Sequence, residues 1–343
     1  MRAVVMYAPG DLRVEEVAKP VPGPDEVLLR VAACGVCGSD VPRMLTKGAH
    51  RMPIVCGHEF SGHIVGIGDR VEGFADGELV SVAPLIPCRV CDQCVTGNAS
   101  RCRDYDYFGS RRDGAYAEYV AVPRGNLLKT PAGIDPRAAA MADPASIALH
   151  AIWKAPVAEG KGLMGRTGGV IGCGPIGLFA IQWMRLMGAS AVVAVDVSEQ
   201  KLEQARQAGA THVFLSHGPR PDVPPCDLIV EAAGHPSTAN LAVRLAGPGG
   251  HVVFIGIPTQ DVGLEIATFN HMLRQEISLH GSWNSFGAPF PGAQWTTTLE
   301  KLGSGDLKWE FMITHEPGLD ALPGIMGKFR ERNEFLSKVM VRP

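Results

Sequence analysis

The sequence predicts an α/β protein of two domains, an all-β unit followed by a doubly wound parallel sheet. Three observations predict it. The chain has 343 residues, beyond the size at which one hydrophobic core usually stops growing. Its first 145 or so residues carry short apolar runs broken by Gly and Pro, whereas strand and helix patterns alternate from about residue 147. A glycine-rich turn, Gly172-Cys173-Gly174-Pro175-Ile176-Gly177, sits where the alternation begins.

In the first part, residues 27–32, 64–68, 79–83 and 117–122 read as strands. In the second, residues 170–171, 191–195, 228–231, 252–256 and 277–281 read as strands, with helical patterns at 175–188 and 198–208. Ser198 is placed as the N-cap of the latter. The tail from about residue 284 loses the alternation and ends in a strand-like 338–341, which predicts a return to the first domain. The expected limits are 1–146 for the first domain, 147–284 for the second and 285–343 for the return.

Composition narrows the function classes. Hydrophobic residues make up 46% and charged residues 20%, as in an ordinary globular protein. A net charge of −3 offers no footprint for nucleic acid or an anionic membrane. The apolar start at Met1 turns polar by Gly10, too short for a signal peptide. No run of about 18 apolar residues is present. Nine cysteines is an odd count and four of them cluster, which disfavours a disulfide framework and predicts a cytoplasmic protein.

That cluster is Cys88, Cys91, Cys94 and Cys102, with gaps of two, two and seven residues, in a polar lobe at about 86–104. Four thiolates with no open position suit a structural zinc. The bacterial iron–sulfur run has a three-residue last gap followed by Pro, whereas Arg103 follows here.

The glycine turn matches the dinucleotide-binding fingerprint because a strand precedes it, a helix follows it, and Asp196 ends the next strand. Gly172 permits the turn, Gly174 lets backbone approach a pyrophosphate and Gly177 lets helix pack on strand. Pro175 and Ile176 open the helix whose N-terminus would face the phosphates. Asp196 would accept from a ribose 2′-hydroxyl, which favours NAD over NADP. The preceding strand, residues 167–171, is short and diluted by glycine.

Upstream, Cys37 is followed about twenty residues later by Gly57-His58-Glu59. A thiolate, an imidazole and a nearby carboxylate can form a zinc set that leaves a position open for substrate. Each alone reads more simply as a core residue; their joint appearance before a dinucleotide fold reverses that.

Taken together, these features resemble the zinc-dependent medium-chain alcohol and polyol dehydrogenases over the whole chain. The resemblance implies a GroES-like catalytic domain, a Rossmann domain, two zinc ions per chain, NAD, and a homodimer or homotetramer. It implies that Cys37 and His58 hold the catalytic zinc, with Glu59 a third or exchanging ligand. Polyol-oxidising relatives place a glutamate before proline near the domain junction. Here Asp143-Pro144 stands there, one methylene shorter, so a water bridge is expected instead of direct ligation. Asp40 would orient His58. Ser39 would take the hydroxyl proton; Pro42 occupies the usual relay position, which leaves His50 or water. Longer stretches, Cys37 to Arg43 and Gly109-Ser110-Arg111-Arg112-Asp113-Gly114 among them, are similar to a member acting on a sugar-alcohol phosphate.

The implied substrate is thus a small sugar alcohol or its phosphate. Arg43, Arg51, Arg111 and Arg112 are the candidate phosphate partners, and Asn284 and Glu59 the candidate partners of polyol hydroxyls. The alternatives are an unphosphorylated polyol such as galactitol, sorbitol or arabitol, an aminocyclitol, L-threonine, or a dinucleotide sensor without catalysis.

Overall fold

The alternating half of the chain builds one parallel sheet. In the computed structural model, which describes residues 1–158, 162–218, 221–331 and 333–343, the sheet runs His212–Leu215, Ala191–Asp196, Thr167–Ile171, Cys226–Glu231, Ala246–Phe254, Ser278–Gly281 from edge to edge. The chain enters at a central strand, winds to one edge and returns to build the other. Val192, Val193, Ile229, Val230, Val252 and Val253 are fully buried, as expected of strands covered on both faces. His212–Leu215, at one edge of the sheet and half-buried at every position, is the strand that the sequence reading did not expect.

Helix Pro175–Leu186 begins with Pro at its first turn, where the missing N–H costs nothing. Glu199–Gln207 is capped by Ser198, whose Oγ accepts from Lys201 N at 3.4 Å. The glycines of Thr167–Ile171 answer to packing. A Cβ on Gly168 would lie 2.4 Å from Met184 Sδ, so a larger residue there would have to displace the methionine that the helix packs on the strand.

The chain divides into two compact units. One comprises Met1–Asp143, Phe286–Gly305 and Ile313–Pro343; the other comprises Pro144–Ser285 and Asp306–Met312. The segment Asp306–Met312 departs from the expected single return. It is held in the second unit by paired amide contacts: Gln182 Nε2 donates to Lys308 O at 2.9 Å and Lys308 N donates to Gln182 Oε1 at 2.7 Å. Gln204 Nε2 donates to Phe311 O at 2.9 Å.

The first unit is built on a mixed sheet ordered Leu127–Lys129, Leu79–Val82, Glu59–Ile67, Glu26–Gly35, Lys338–Val341, Ile313–His315, with Tyr119–Pro123 also paired to Glu26–Gly35. Val27, Leu29, Phe60, Phe108, Tyr116 and Val339 belong to its core. Lys338–Val341 runs antiparallel to Glu26–Gly35, with Met340 opposite Gly35. Among the described residues, no helix is long and apolar enough to cross a membrane.

His150, in the helix Ala142–Trp153, is 7% exposed. Burial, and then Lys154, depress its pKa to about 4. The unfolded chain protonates this ring at its ordinary pKa, so the stability from keeping it neutral is complete above about pH 6.5 and is lost as pH falls toward 4. The loss amounts to about 3 kcal/mol. Urea unfolding of wild type and His150→Gln between pH 7 and 4.5 should show wild type losing more stability than the variant as pH falls; parallel curves would remove His150 as the cause.

Candidate active site and metal centres

The strand register assembles the open metal set. Gly35 lies opposite Glu59, so the turn after Glu26–Gly35 carries Cys37 to the start of Glu59–Ile67, beside His58 and Glu59. Cys37 Sγ, a ring nitrogen of His58 and a carboxylate oxygen of Glu59 all lie within 4.8 Å of one another. Thiolate, imidazole and carboxylate fit zinc and leave a fourth position open. Asp143 is buried but outside this group. Burial, reinforced by Glu59, raises its pKa to about 7, with His58 opposing.

Asp40 is fully buried and gathers donors. Tyr116 Oη donates to its Oδ2 at 2.6 Å and Cys37 N at 3.2 Å. Arg43 donates to its Oδ1, and His58 Nδ1 stands 3.4 Å from the same oxygen. That Nδ1 is buried without a well-formed hydrogen bond, so Asp40 faces one ring nitrogen and leaves Nε2 to the metal. Burial alone would raise the Asp40 pKa; His58, then Arg43 and Tyr116, overcome it and hold the carboxyl below its usual range. Burial likewise opposes charge on His58, yet Asp40 and Cys37 raise its pKa well above the ordinary value. The pocket stabilises positive charge at the position where a divalent cation would sit.

Glu59 is paired with Lys338, a residue that sequence reasoning missed. The ammonium donates to Glu59 Oε2 and, at 3.2 Å, to Val36 O. Their side chains are 3% and 1% exposed. Burial would strip the lysine of its proton, but Glu59 and Cys37 more than offset it and raise the pKa. Gly35 makes the room: a Cβ there would lie 2.6 Å from both Glu59 Oε2 and Lys338 Nζ. The available signal was a lone lysine opening the apolar run Lys338-Val339-Met340-Val341.

Cys88, Cys91, Cys94 and Cys102 form a second group whose sulfurs lie within 4.8 Å of one another, with no disulfide between them. Backbone N–H groups point at the sulfurs: Cys91 N donates to Cys88 Sγ at 3.4 Å and Cys88 N to Cys102 Sγ at 3.3 Å. Backbone hydrogen bonds from Arg103 and Cys94 lower the Cys91 pKa to about 6, whereas burial pushes Cys94 up to about 12. Four sulfurs converging without oxidation fit a closed tetrahedral zinc site.

In the second unit, Gly172 adopts φ 93°. A Cβ on Gly177 would strike Gly172 O at 2.0 Å, whereas one on Gly174 would meet nothing within 4 Å. The turn is therefore closed on its inner side and open at Gly174, where a pyrophosphate would approach. Pro175 and Ile176 start the helix behind it. Asp196 accepts from Cys173 N at 2.7 Å, Val197 N at 2.7 Å and Ser198 N at 3.1 Å. Those bonds fix the carboxylate against the fingerprint turn and leave it further acceptor capacity.

The remaining candidates disperse. Ser39 Oγ lies 3.3 Å from Cys37 Sγ, beside the open site. His50 is exposed, with its backbone N–H on Ser110 O at 3.0 Å. Arg43 spends its charge on Asp40. Arg51, Arg111 and Arg112 line a separate cavity whose walls include none of Cys37, His58 and Glu59. Asn284, in the second unit, holds φ 53° with its Nδ2 buried and without a partner among the described residues. Tyr107, absent from the sequence expectations, packs edge-on against His58 with ring centroids 5.6 Å apart.

Comparison with known proteins agrees with this geometry. Residues 23–132 match the alcohol dehydrogenase GroES-like domain and residues 175–302 the zinc-binding dehydrogenase domain. The chain is 37% identical to galactitol 1-phosphate 5-dehydrogenase of Escherichia coli K12, over 100% of both chains. The crystal structure of galactitol-1-phosphate dehydrogenase from Escherichia coli superposes with a TM-score of 0.93 at 36% identity, again over 100% of both. L-threonine 3-dehydrogenase of Bacillus licheniformis is 34% identical over 92% of this chain and 91% of its own. A putative zinc-binding dehydrogenase from Sinorhizobium meliloti, bound to NADP, superposes with a TM-score of 0.89 at 31% identity, covering 100% of this chain and 99% of its own.

Two outcomes follow from the site. Lys338→Met leaves a buried carboxylate unpaired and should lower unfolding stability by about 3–5 kcal/mol. The double variant Glu59→Gln/Lys338→Met should recover part of that, and a single variant within about 1 kcal/mol of wild type would remove the pair from the framework. Elemental analysis should find two zinc ions per wild-type chain and one in each of Cys37→Ser and Cys91→Ser; equal zinc in all three would show that these sulfurs are not ligands.

Proposed function

This chain is a member of the zinc-binding alcohol dehydrogenase family, an oxidoreductase of CH–OH groups, and on that premise we propose that it oxidises galactitol 1-phosphate to tagatose 6-phosphate with NAD. The observation that carries the reading is the pairing of one open donor set, Cys37–His58–Glu59, with one closed set of four thiols. The closed set serves folding; the open one has a use only if something else is to bind there. A non-catalytic sensor would have no need of it.

The carbinol carbon loses two electrons and one hydrogen to the dinucleotide, and the hydroxyl loses a proton. A bound zinc supplies Lewis acidity toward a hydroxyl, and a bound nicotinamide supplies the electron-pair acceptor. The protein contributes position and charge. Cys37, His58 and Glu59 would hold the metal, and Asp40 faces the His58 ring and keeps it aligned. Lys338 balances Glu59. Ser39 Oγ, beside Cys37, receives the proton and hands it to water, since Pro42 has no group to carry it and His50 is exposed. Gly174 and the helix from Pro175 would receive the pyrophosphate of the dinucleotide, and Asp196 its ribose hydroxyls.

Full-length similarity to a galactitol 1-phosphate dehydrogenase supports the phosphorylated substrate, and similarity to an L-threonine dehydrogenase supports the amino alcohol as second reading. A homodimer or homotetramer is the proposed assembly. Initial rates of NAD reduction should give kcat/KM for galactitol 1-phosphate at least a hundredfold above that for galactitol. Comparable values would make the protein a general polyol dehydrogenase, and a higher value for L-threonine would overturn the sugar reading.

A further inference from the structure

A cavity of about 770 Å³ lies in the first unit, between the strand Arg2–Ala8, the turn around Pro53 and the loop 106–114. None of the metal-site residues lines it, and none of the lobe cysteines does. Its volume is that of a small-molecule site, and much of its wall is aliphatic, with Val5, Val17, Ile54 and Val120 among the lining residues.

Three guanidinium groups face this space, and they differ in what they already hold. Arg51 pairs with Asp113 at 3.1 Å. Arg112 lies 3.3 Å from Glu26 and 3.8 Å from Asp106. Arg111 alone of the three has no carboxylate partner among the described residues. Its guanidinium carbon stands 4.7 Å from the centroid of the Tyr105 ring, and its Nε is buried with no hydrogen-bond partner among the described residues. A buried, unsatisfied cationic donor is costly, and native structures seldom leave one without a protein group, water or ion. The cavity carries three cations against the two lining carboxylates, Asp106 and Asp113. A planar donor fork held on an aromatic face is suited to two parallel bonds to a carboxylate or phosphate.

We propose that this cavity is a second, non-catalytic binding site for a small organic anion, a carboxylate or a phosphate monoester, with Arg111 as its anchor. The anion occupies the free edge of Arg111, and the aliphatic wall takes the carbon skeleton. The pair Arg111–Arg112, which the sequence alone suggests as a grip on substrate phosphate, then serves a ligand away from the reacting hydroxyl. Binding here needs no metal and no turnover, so the site stands or falls independently of the proposed reaction.

The test is calorimetric titration of the zinc-loaded protein with inorganic phosphate, ribose 5-phosphate and malonate as separate probes. Wild type should bind at least one of them saturably, with one site per chain. Arg111→Gln should weaken that binding at least tenfold. Ala121→Trp, which fills the cavity and leaves Arg111 in place, should do the same. Cys37→Ser should bind within twofold of wild type. Absence of saturable binding in wild type overturns the proposal, as does undiminished binding in either cavity variant. Loss of binding in Cys37→Ser also overturns it and places the anion at the metal centre.

Discussion

Two opposite charges buried against each other, Glu59 and Lys338, are the constraint around which the catalytic half of the molecule is arranged. Neither side chain has meaningful access to water, and removing two ions from water costs several kcal/mol each before their attraction is counted. An apolar pair of the same volume would hold the sheet together at least as well. The ionic pair makes sense because Glu59 must remain a carboxylate next to His58 and Cys37. Lys338 supplies the opposite charge that a carboxylate buried this deeply requires. The pairing also constrains geometry. Glu59 and Lys338 come from strands on either side of Glu26–Gly35, and a one-residue slip of either would turn its charge to the other face of the sheet.

Asp40 does the corresponding work on the other side of His58. Arg43, Tyr116 and the Cys37 backbone all donate to it, so its orientation does not depend on the imidazole it faces. The site thus pairs Arg43 with Asp40 and Glu59 with Lys338. The His58 ring lies between Asp40 and Cys37, and a divalent cation would sit among the thiolate, the neutral imidazole and the carboxylate. Electrostatic order of this kind explains how so many ionisable groups can be buried within one small volume.

What the sequence disclosed about this arrangement follows how local each feature is. Four cysteines within fifteen residues, and a glycine turn between a strand and a helix, are chemical statements in a single window, and both were legible. The parallel sheet was legible in its central strands and in the edge strand Ser278–Gly281, whereas the edge strand His212–Leu215, four residues and half-buried throughout, was not read. Lys338, Tyr116 and Tyr107 were not legible as site residues. Their meaning lies in partners far along the chain, 279 residues away for Lys338 and 76 for Tyr116. Arginines were misleading for a related reason. A guanidinium reads as a free cation in sequence, but Arg43 is consumed by Asp40 and Arg112 is shared between Glu26 and Asp106. The departure at Asp306–Met312 turned on two glutamine side chains, Gln182 and Gln204, bonded to backbone that no periodicity reveals.

The position of Lys338 in the chain also sets a timetable. A ribosome adds residues from the amino end, at about 5–20 per second, so the 279 residues between Glu59 and Lys338 separate their emergence by tens of seconds. Throughout that interval the central strand Glu26–Gly35 lacks a neighbour and the Glu59 carboxylate lacks its counter-ion. The four lobe cysteines, by contrast, are at most 14 positions apart, from Cys88 to Cys102, and are complete long before translation ends. The lobe is therefore complete early, while the buried Glu59–Lys338 pair waits for the returning strand to close the sheet.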